Sequence, residues 1–286
     1  EESAYSAKKH IALLEFLNDK CKHKLPNGKV LVTNKGQYYV QLGLIRNKDN
    51  GKPDQEFRAC SLEDMDSLYK SEVDWINTPT IAELTEFRKK KLKQVIDVMI
   101  EFSSAGKEKE SFAKYGLDIP NYDYQKVLEE KVFKKLSLDE QLKEQAEKVV
   151  AELMKQERIF SHCDLHSGNI LVKGDGDIAI IDPLSASYAN RFFDIAYLLE
   201  QAEIGLNKDE KSDIINYFIE KLESNREHLE KPQRTYDLNA ALINLREAAI
   251  HGNKNSKHYN ESLSQTHLKR ANQLLEELFP NMPLQA

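Results

Sequence analysis

The stretch Ile159-Phe160-Ser161-His162-Cys163-Asp164-Leu165-His166-Ser167-Gly168-Asn169-Ile170-Leu171-Val172, continued by Lys173-Gly174-Asp175-Gly176-Asp177 and Ile178-Ala179-Ile180-Ile181-Asp182, decides how the rest of the chain is read. Its pattern is a loop, a strand, a tight turn and a second strand, because two short β-branched and aliphatic runs flank a turn rich in Gly and Asp. Such a hairpin puts Asn169, at the entrance of the first strand, and Asp182, at the exit of the second, on one edge. Asp164 sits in the loop just before them. Acid and amide oxygens converging from one unit suit a hard cation such as Mg2+, which keeps several waters and takes few protein ligands beside substrate phosphates. A carboxylate in the loop is left to take a proton from a hydroxyl. Taken singly, each residue also fits a structural role: Asp164 as a turn former, Asn169 as a strand-start cap, Asp182 as the residue before a turn at Pro183.

The order of these residues, with Asn169 five positions after Asp164, resembles the catalytic loop and metal-binding segment of the protein-kinase-like fold. The wording from His162 to Leu171 is closer to the aminoglycoside phosphotransferase and choline kinase superfamily than to protein kinases, with Cys163 standing where that superfamily usually has Gly. Ile181-Asp182 resembles its metal segment, and Phe193-Asp194-Ile195-Ala196 resembles its Tyr-Asp-Leu-Ala element. The resemblance implies an α+β, protein-kinase-like two-lobed fold, with a small β-containing N-terminal lobe and a mainly helical C-terminal lobe. It implies Asp164 as catalytic base or hydroxyl-positioning residue, Asn169 and Asp182 as magnesium ligands, and His162 and Asp194 as supports of the loop. ATP and Mg2+ are the implied cofactors, and the implied acceptor is a hydroxyl of a small molecule: an amino sugar, amino alcohol or antibiotic-like compound. Cys163 reads as a buried small residue and not a nucleophile, since no dyad pattern accompanies it; His166 is undecided.

Outward from this centre the chain is helical on both sides. Thr80 with Glu83 is a capping-box signal before Leu84, Phe87, Leu92, Val95, Met99 and Phe102, which predict a helix over 81–104. Ser137 with Glu140 repeats the signal before a second long helix. Beyond Asp194, helical segments are expected near 193–204, 209–223, 236–250 and 262–279. The run Arg88-Lys89-Lys90-Lys91-Leu92-Lys93 reads as a solvated helix face. Acceptor contacts are sought on the helices after the metal segment, at Glu200, Glu203, Tyr197, Tyr217, Tyr236 and Asp237, because cationic acceptors are met by acidic or aromatic side chains. The single tryptophan, Trp75, lies before the helical part, so no aromatic cage is evident.

The N-terminal part is expected to hold a helix over about 5–18, a β-hairpin from Val30 to Leu42 and a third strand near Glu56 to Leu62. It contains no Gly-rich phosphate loop of the G-x-G-x-x-G form. Lys35 or Arg58 is one candidate phosphate contact; the alternative is that the phosphate loop and its lysine precede Glu1, which is not a Met. In that second arrangement the 5–18 helix is the small-lobe helix with Glu15 as its candidate ion-pair residue, and the nucleotide hinge falls at Cys60 and Leu62. The lobes then divide as 1–63 and 64–286. With 41 Lys+Arg against 47 Asp+Glu, a net charge of −6 and no basic tail, a nucleic-acid polymer is an unlikely partner. No apolar run is long enough to span a bilayer, so no membrane partner is expected. Three cysteines at unrelated spacings fit a reducing, cytoplasmic setting. Two rival functions share the motif: a pseudokinase-like binding or scaffold protein, and a Ser/Thr protein kinase of the same fold.

Overall fold

Leu92, Val95, Ile96, Met99 and Phe102 recur at helical spacing and are all buried, and they form the inner face of helix α1 (Ile81–Ala105). The computed structural model describes residues 9, 12–17, 19–21, 28–32, 38–42, 60–61, 81–107, 110–172, 178–201, 204–225 and 229–280. Near the N-terminus, β1 (Gly28–Val32) and β2 (Tyr38–Leu42) form the expected antiparallel hairpin, with Val30 opposite Val40. The third expected strand is confined, among the described residues, to β3 (Cys60–Ser61). It pairs with the strand Ile170–Val172 and not with the hairpin: Cys60 lies opposite Val172 and Ser61 opposite Leu171. Leu62, Lys35, Arg58, Trp75, Glu203 and the expected lobe boundary lie outside the described residues.

The chain continues through α2 (Glu140–Met154), β4 (Arg158–Ser161), β5 (Ile170–Val172), β6 (Ile178–Ile180), β7 (Ser187–Asn190), α3 (Phe193–Leu199), α4 (Lys208–Ser224), α5 (Pro232–Gly252) and α6 (Glu261–Leu278). Strands β3, β5 and β6 make one small antiparallel sheet, and β4 and β7 make another, with Phe160 opposite Tyr188. The architecture is thus mostly helical with small antiparallel sheets. The β4–β7 ribbon corrects the expectation of a loop at Ile159–Ser161. Its second strand, Ser187-Tyr188-Ala189-Asn190, has no β-branched residue and is buried throughout, so it presents neither composition nor alternation to a sequence reading.

Helix boundaries differ from expectation for physical reasons. The cap of α2 is Asp139, whose side chain accepts the Leu142 N–H at 2.8 Å, and not Ser137. The helix expected near 236–250 begins earlier, at Pro232, since proline has no N–H to leave unsatisfied in a first turn. Helix α3 stops at Leu199, five residues before the expected end at 204. The basic run of α1 is not a simple solvated face: Lys91 is buried, Lys89 pairs with Asp213 of α4 at 2.9 Å, and Lys93 lies 5.2 Å from the Tyr217 ring centre.

Two apolar clusters hold the fold. The larger joins α1 through α6 with Ile170, Ile178 and Ile180 of the β5–β6 hairpin. The smaller sets Leu13, Leu14, Phe16 and Leu17 of a helical segment at 12–17 against Phe102, Phe112, Phe160 and Tyr188. Phe16 lies 4.2 Å from the Phe112 ring, and Phe160 stacks on Phe102 at 4.7 Å; contacts of this kind are worth about 0.5–1.5 kcal/mol each beyond the area they bury. Burying these four residues docks this helical segment on the β4–β7 ribbon, which leads into the loop at 162–169. Glu15 of that helix is exposed.

Polar ties link the C-terminal helices. Glu200, at the end of α3, is buried and accepts from Tyr236 at 2.8 Å and Asn244 at 3.0 Å, with Lys211 at 3.2 Å and Arg270 at 3.3 Å. Burial works against this carboxylate, but Lys211, Arg270 and the two neutral donors outweigh it, and the group titrates below the ordinary glutamate value of 4.5. A depressed carboxyl contributes stability that is present above the unfolded value and is lost as pH falls through the folded one. Unfolding free energy measured by urea titration should therefore fall more steeply in the wild type than in Glu200→Gln as the pH is lowered from 4.5. Equal slopes would contradict this account of the tie.

Candidate functional site

The loop between β4 and β5 is fixed by the first turn of α3. Asp194 is 3 % exposed, and its carboxylate accepts two consecutive backbone amides, from His162 at 2.7 Å and from Cys163 at 2.8 Å. These donors would otherwise be buried without acceptors, which costs about 1–3 kcal/mol each. Burial raises the Asp194 carboxyl above the ordinary aspartate value, opposed by His162 and by the two amides. His162 is buried too, and its Nε2 lies 2.8 Å from the carbonyl of Ile181; a carbonyl only accepts, so Nε2 carries the proton. That bond joins the start of the loop to the residue before Asp182.

Between these anchors the backbone turns through Cys163 with φ of 62°, a left-handed conformation that favours glycine. This explains in backbone terms why a Gly is usual at the position. The Cys163 side chain is buried in the main core with its Sγ directed at the Ser187 carbonyl, and burial pushes the thiol up, away from thiolate reactivity. Asp182 also has a positive φ, 55°, at the exit of β6. Strained residues of this kind cost about 1–3 kcal/mol and persist where surrounding structure over-determines them.

Asn169 ends a 3-10 turn, and its main chain accepts from Ile181 N at 2.9 Å, extending the pairing of Ile170 with Ile180 by one step. The hairpin therefore places Asn169 and Asp182 on one edge. The Asn169 side chain donates through Nδ2 to the Asp164 carbonyl at 2.9 Å, which leaves its amide oxygen as the end suited to a ligand. His166, undecided from the sequence, caps the 3-10 turn by accepting Gly168 N–H on Nδ1 at 3.1 Å.

Asp164 faces a cleft of about 360 Å3 formed with α3, α5 and the start of α6. Tyr197 donates to its Oδ1 at 3.2 Å, and the guanidinium of Arg246 lies 4.0 Å from the same oxygen and 4.9 Å from the Tyr197 ring centre. Of the acceptor-side residues sought in the sequence, only Tyr197 lines this cleft among the described residues. Glu200 and Tyr236 belong to the buried tie between helices, Tyr217 donates to Asp97 of α1, and Asp237 lines a separate cleft with Lys211 and Arg270.

Sequence reasoning missed Gln201, Arg246 and the histidines of the cleft. Gln201 accepts from Ser167 N at 3.0 Å and donates to the Leu165 carbonyl at 3.2 Å, holding the second half of the loop as Asp194 holds the first. A signal for it existed: Asp194, Tyr197 and Gln201 have the spacing i, i+3, i+7 of one face of the helix expected over 193–204, although α3 itself ends at Leu199. No such signal marks Arg246, on a helix far along the chain.

Replacing Asp194 by Asn puts an NH2 group where one buried N–H needs an acceptor. Asp194→Asn should lose about 2 kcal/mol of unfolding free energy in urea, within the range for a hydrogen bond to a charged group. Unchanged stability would contradict the clamp.

Residues 88–219 match the profile described as the phosphotransferase enzyme family. No protein of curated function matches the chain in sequence. Among solved structures, the choline kinase of Streptococcus pneumoniae is similar with a TM-score of 0.61 at 14% identity, covering 97% of this chain and 84% of that one. An aminoglycoside 2'-phosphotransferase in its GDP complex gives 0.55 at 17% identity, covering 98% and 83%. The ethanolamine kinase of Plasmodium vivax gives 0.53 at 15% identity, covering 95% and 74%. The chain thus has the kinase-like fold of these structures, and its residues 88–219 match a phosphotransferase family profile.

Proposed function

We propose that the chain transfers the γ-phosphoryl group of ATP to a hydroxyl of a small molecule in a Mg2+-dependent reaction. The observation that carries this reading is the meeting of Asp164, Asn169 and Asp182 at one edge of the β5–β6 hairpin, with Asp164 opening on a cleft. The GDP complex of the aminoglycoside enzyme and the AMP complex among the similar structures support a nucleotide as donor. The acceptors named by those relatives, aminoglycosides, choline and ethanolamine, define the amino-sugar, amino-alcohol and antibiotic-like compounds with which a first screen starts.

In this mechanism Asp164 receives the acceptor hydroxyl. The Tyr197 hydroxyl holds its Oδ1, and Oδ2 is the oxygen that takes the proton as the acceptor oxygen attacks the γ-phosphorus and the bond to the β-bridging oxygen breaks. Asn169 and Asp182 offer an amide oxygen and a carboxylate, hard donors of the kind Mg2+ takes, and they are the residues that would hold it. Bound there, Mg2+ supplies neutralisation of phosphate charge. Asp194, His162 and Gln201 act by holding the loop that carries Asp164, so the barrier falls mostly through positioning. Cys60, on a strand paired with β5, and Leu62 complete the reading as the nucleotide hinge.

Asp164→Ala should lower phosphoryl transfer about 10²–10⁴-fold, the usual range for a general base, while the protein still binds nucleotide with Mg2+. Radiolabel transfer from γ-labelled ATP across the acceptor screen measures the first effect. A variant with wild-type turnover would remove Asp164 from the mechanism.

A further inference from the structure

A second cleft lies away from Asp164, between α4, α5 and α6. It holds about 490 Å3, within the range of about 300–1,000 Å3 usual for small-molecule sites. Its charged groups are not matched among themselves. Glu200, buried beneath it, spends both carboxylate oxygens inside the protein: Oε1 takes the Tyr236 hydroxyl and Lys211, and Oε2 takes Asn244 and Arg270. Two cations therefore share one buried carboxylate, and one positive charge is left over beside the cleft. Burial brings the Lys211 ammonium below the ordinary lysine value by more than the neighbouring Glu200 restores.

The donors of that surplus charge are open to the cleft. Arg270 gives only its Nε to Glu200, at 3.3 Å, and its Nη1 and Nη2 stay within reach of solvent and donate to no described residue. A guanidinium in this state offers two N–H donors side by side to an oxyanion. Asp237 of α5 faces the same cleft. Its Oδ1 accepts from Gln233 at 2.9 Å, and its Oδ2 is accessible and has no donor among the described residues. Asp237 makes no ion pair with Lys211 or Arg270, so the positive and the negative centre of the cleft stand apart. Leu206, Ile215 and Tyr236 line the space with apolar surface. Lys208 and Glu277 are exposed at the rim, where water solvates them.

A lone anion leaves Asp237 unmatched, and a lone cation leaves Arg270 and Lys211 unmatched. A ligand that bears both charges matches each. We infer that this cleft binds a small zwitterion, a free α-amino acid with an apolar side chain: its carboxylate docks on Arg270 beside Lys211, its ammonium on Asp237, and its side chain against Leu206, Ile215 and Tyr236.

Calorimetric titration of the whole chain with leucine, valine and phenylalanine, and with two halves of leucine, tests it. Isocaproate keeps the carboxylate and lacks the ammonium; isoamylamine keeps the ammonium and lacks the carboxylate. At least one of the amino acids should bind, and leucine about tenfold or more tighter than either half. Asp237→Asn should bring leucine down to the affinity of isocaproate, and Arg270→Gln down to that of isoamylamine. No binding of any of the three amino acids at about 10 mM, a half-ligand that binds as tightly as leucine, or leucine binding unchanged in Asp237→Asn would each overturn the inference. Loss of leucine binding in Asp164→Ala would place the ligand in the other cleft and overturn it equally. Should Arg270→Gln fail to fold, the half-ligands and Asp237→Asn, which lies outside the Glu200 tie, decide without it. The titration contains no nucleotide, so its outcome is independent of the phosphotransferase reading.

Discussion

The carboxylate of Asp194 bonded to the amides of His162 and Cys163 is the constraint on which the site depends. A loop that turns through a left-handed residue inside a core exposes two N–H groups where no water reaches them. One side-chain carboxyl satisfies both at once, and it comes from the first turn of α3, so the loop is held to the helix whose Tyr197, with Gln201 just past its end, reaches the rest of it. Helix and loop therefore form one rigid unit. The bond from His162 to the Ile181 carbonyl extends that unit to β6 and Asp182, and the Asn169 amide closes it on the Asp164 carbonyl. Without the clamp, Asp164 would have no fixed direction, and positioning is most of what a phosphotransferase supplies.

A second constraint comes from charge. Arg246 stands on a helix packed against α3, and its guanidinium lies between the Asp164 carboxylate and the Tyr197 ring beside it. The residues proposed for transfer and those that wall the cleft thus come from different parts of the chain. The first is built into the β4–α3 segment, and the second is brought by α5 and α6. A cleft can change its ligand chemistry by changing those helices while the transfer machinery stays as it is.

Legibility followed the same division. Asp164, Asn169, Asp182 and Asp194 lie within one short segment whose spacing fixes their geometry: a hairpin has one register, and Asn169 and Asp182 must emerge at the same edge. The long helices were legible because their apolar spacing is repeated over several turns. The β4–β7 ribbon was not, since a four-residue buried strand of Ser, Tyr, Ala and Asn carries no alternation. The cap of α2 went to Asp139 instead of Ser137 because the nearer oxygen reaches the first amides. Arg246 and the imidazoles of His251 and His267 were invisible for a different reason. Their meaning lies in packing between helices distant in sequence, and an isolated Arg or His on a helix has the same appearance whether it faces solvent or substrate. Glu200 and Tyr236, which looked like acceptor contacts, turned inward for the converse reason: a buried Lys–Glu–Arg arrangement needs them.

The central claim is that one hairpin edge holds the metal-dependent end of a nucleotide. Its most direct test is equilibrium binding of a non-hydrolysable ATP analogue with and without Mg2+, in the wild type and in Asp182→Asn. The account predicts binding that Mg2+ strengthens in the wild type and a loss of that strengthening in the variant. Analogue binding indifferent to Mg2+ in both proteins, or no binding in either, would contradict it.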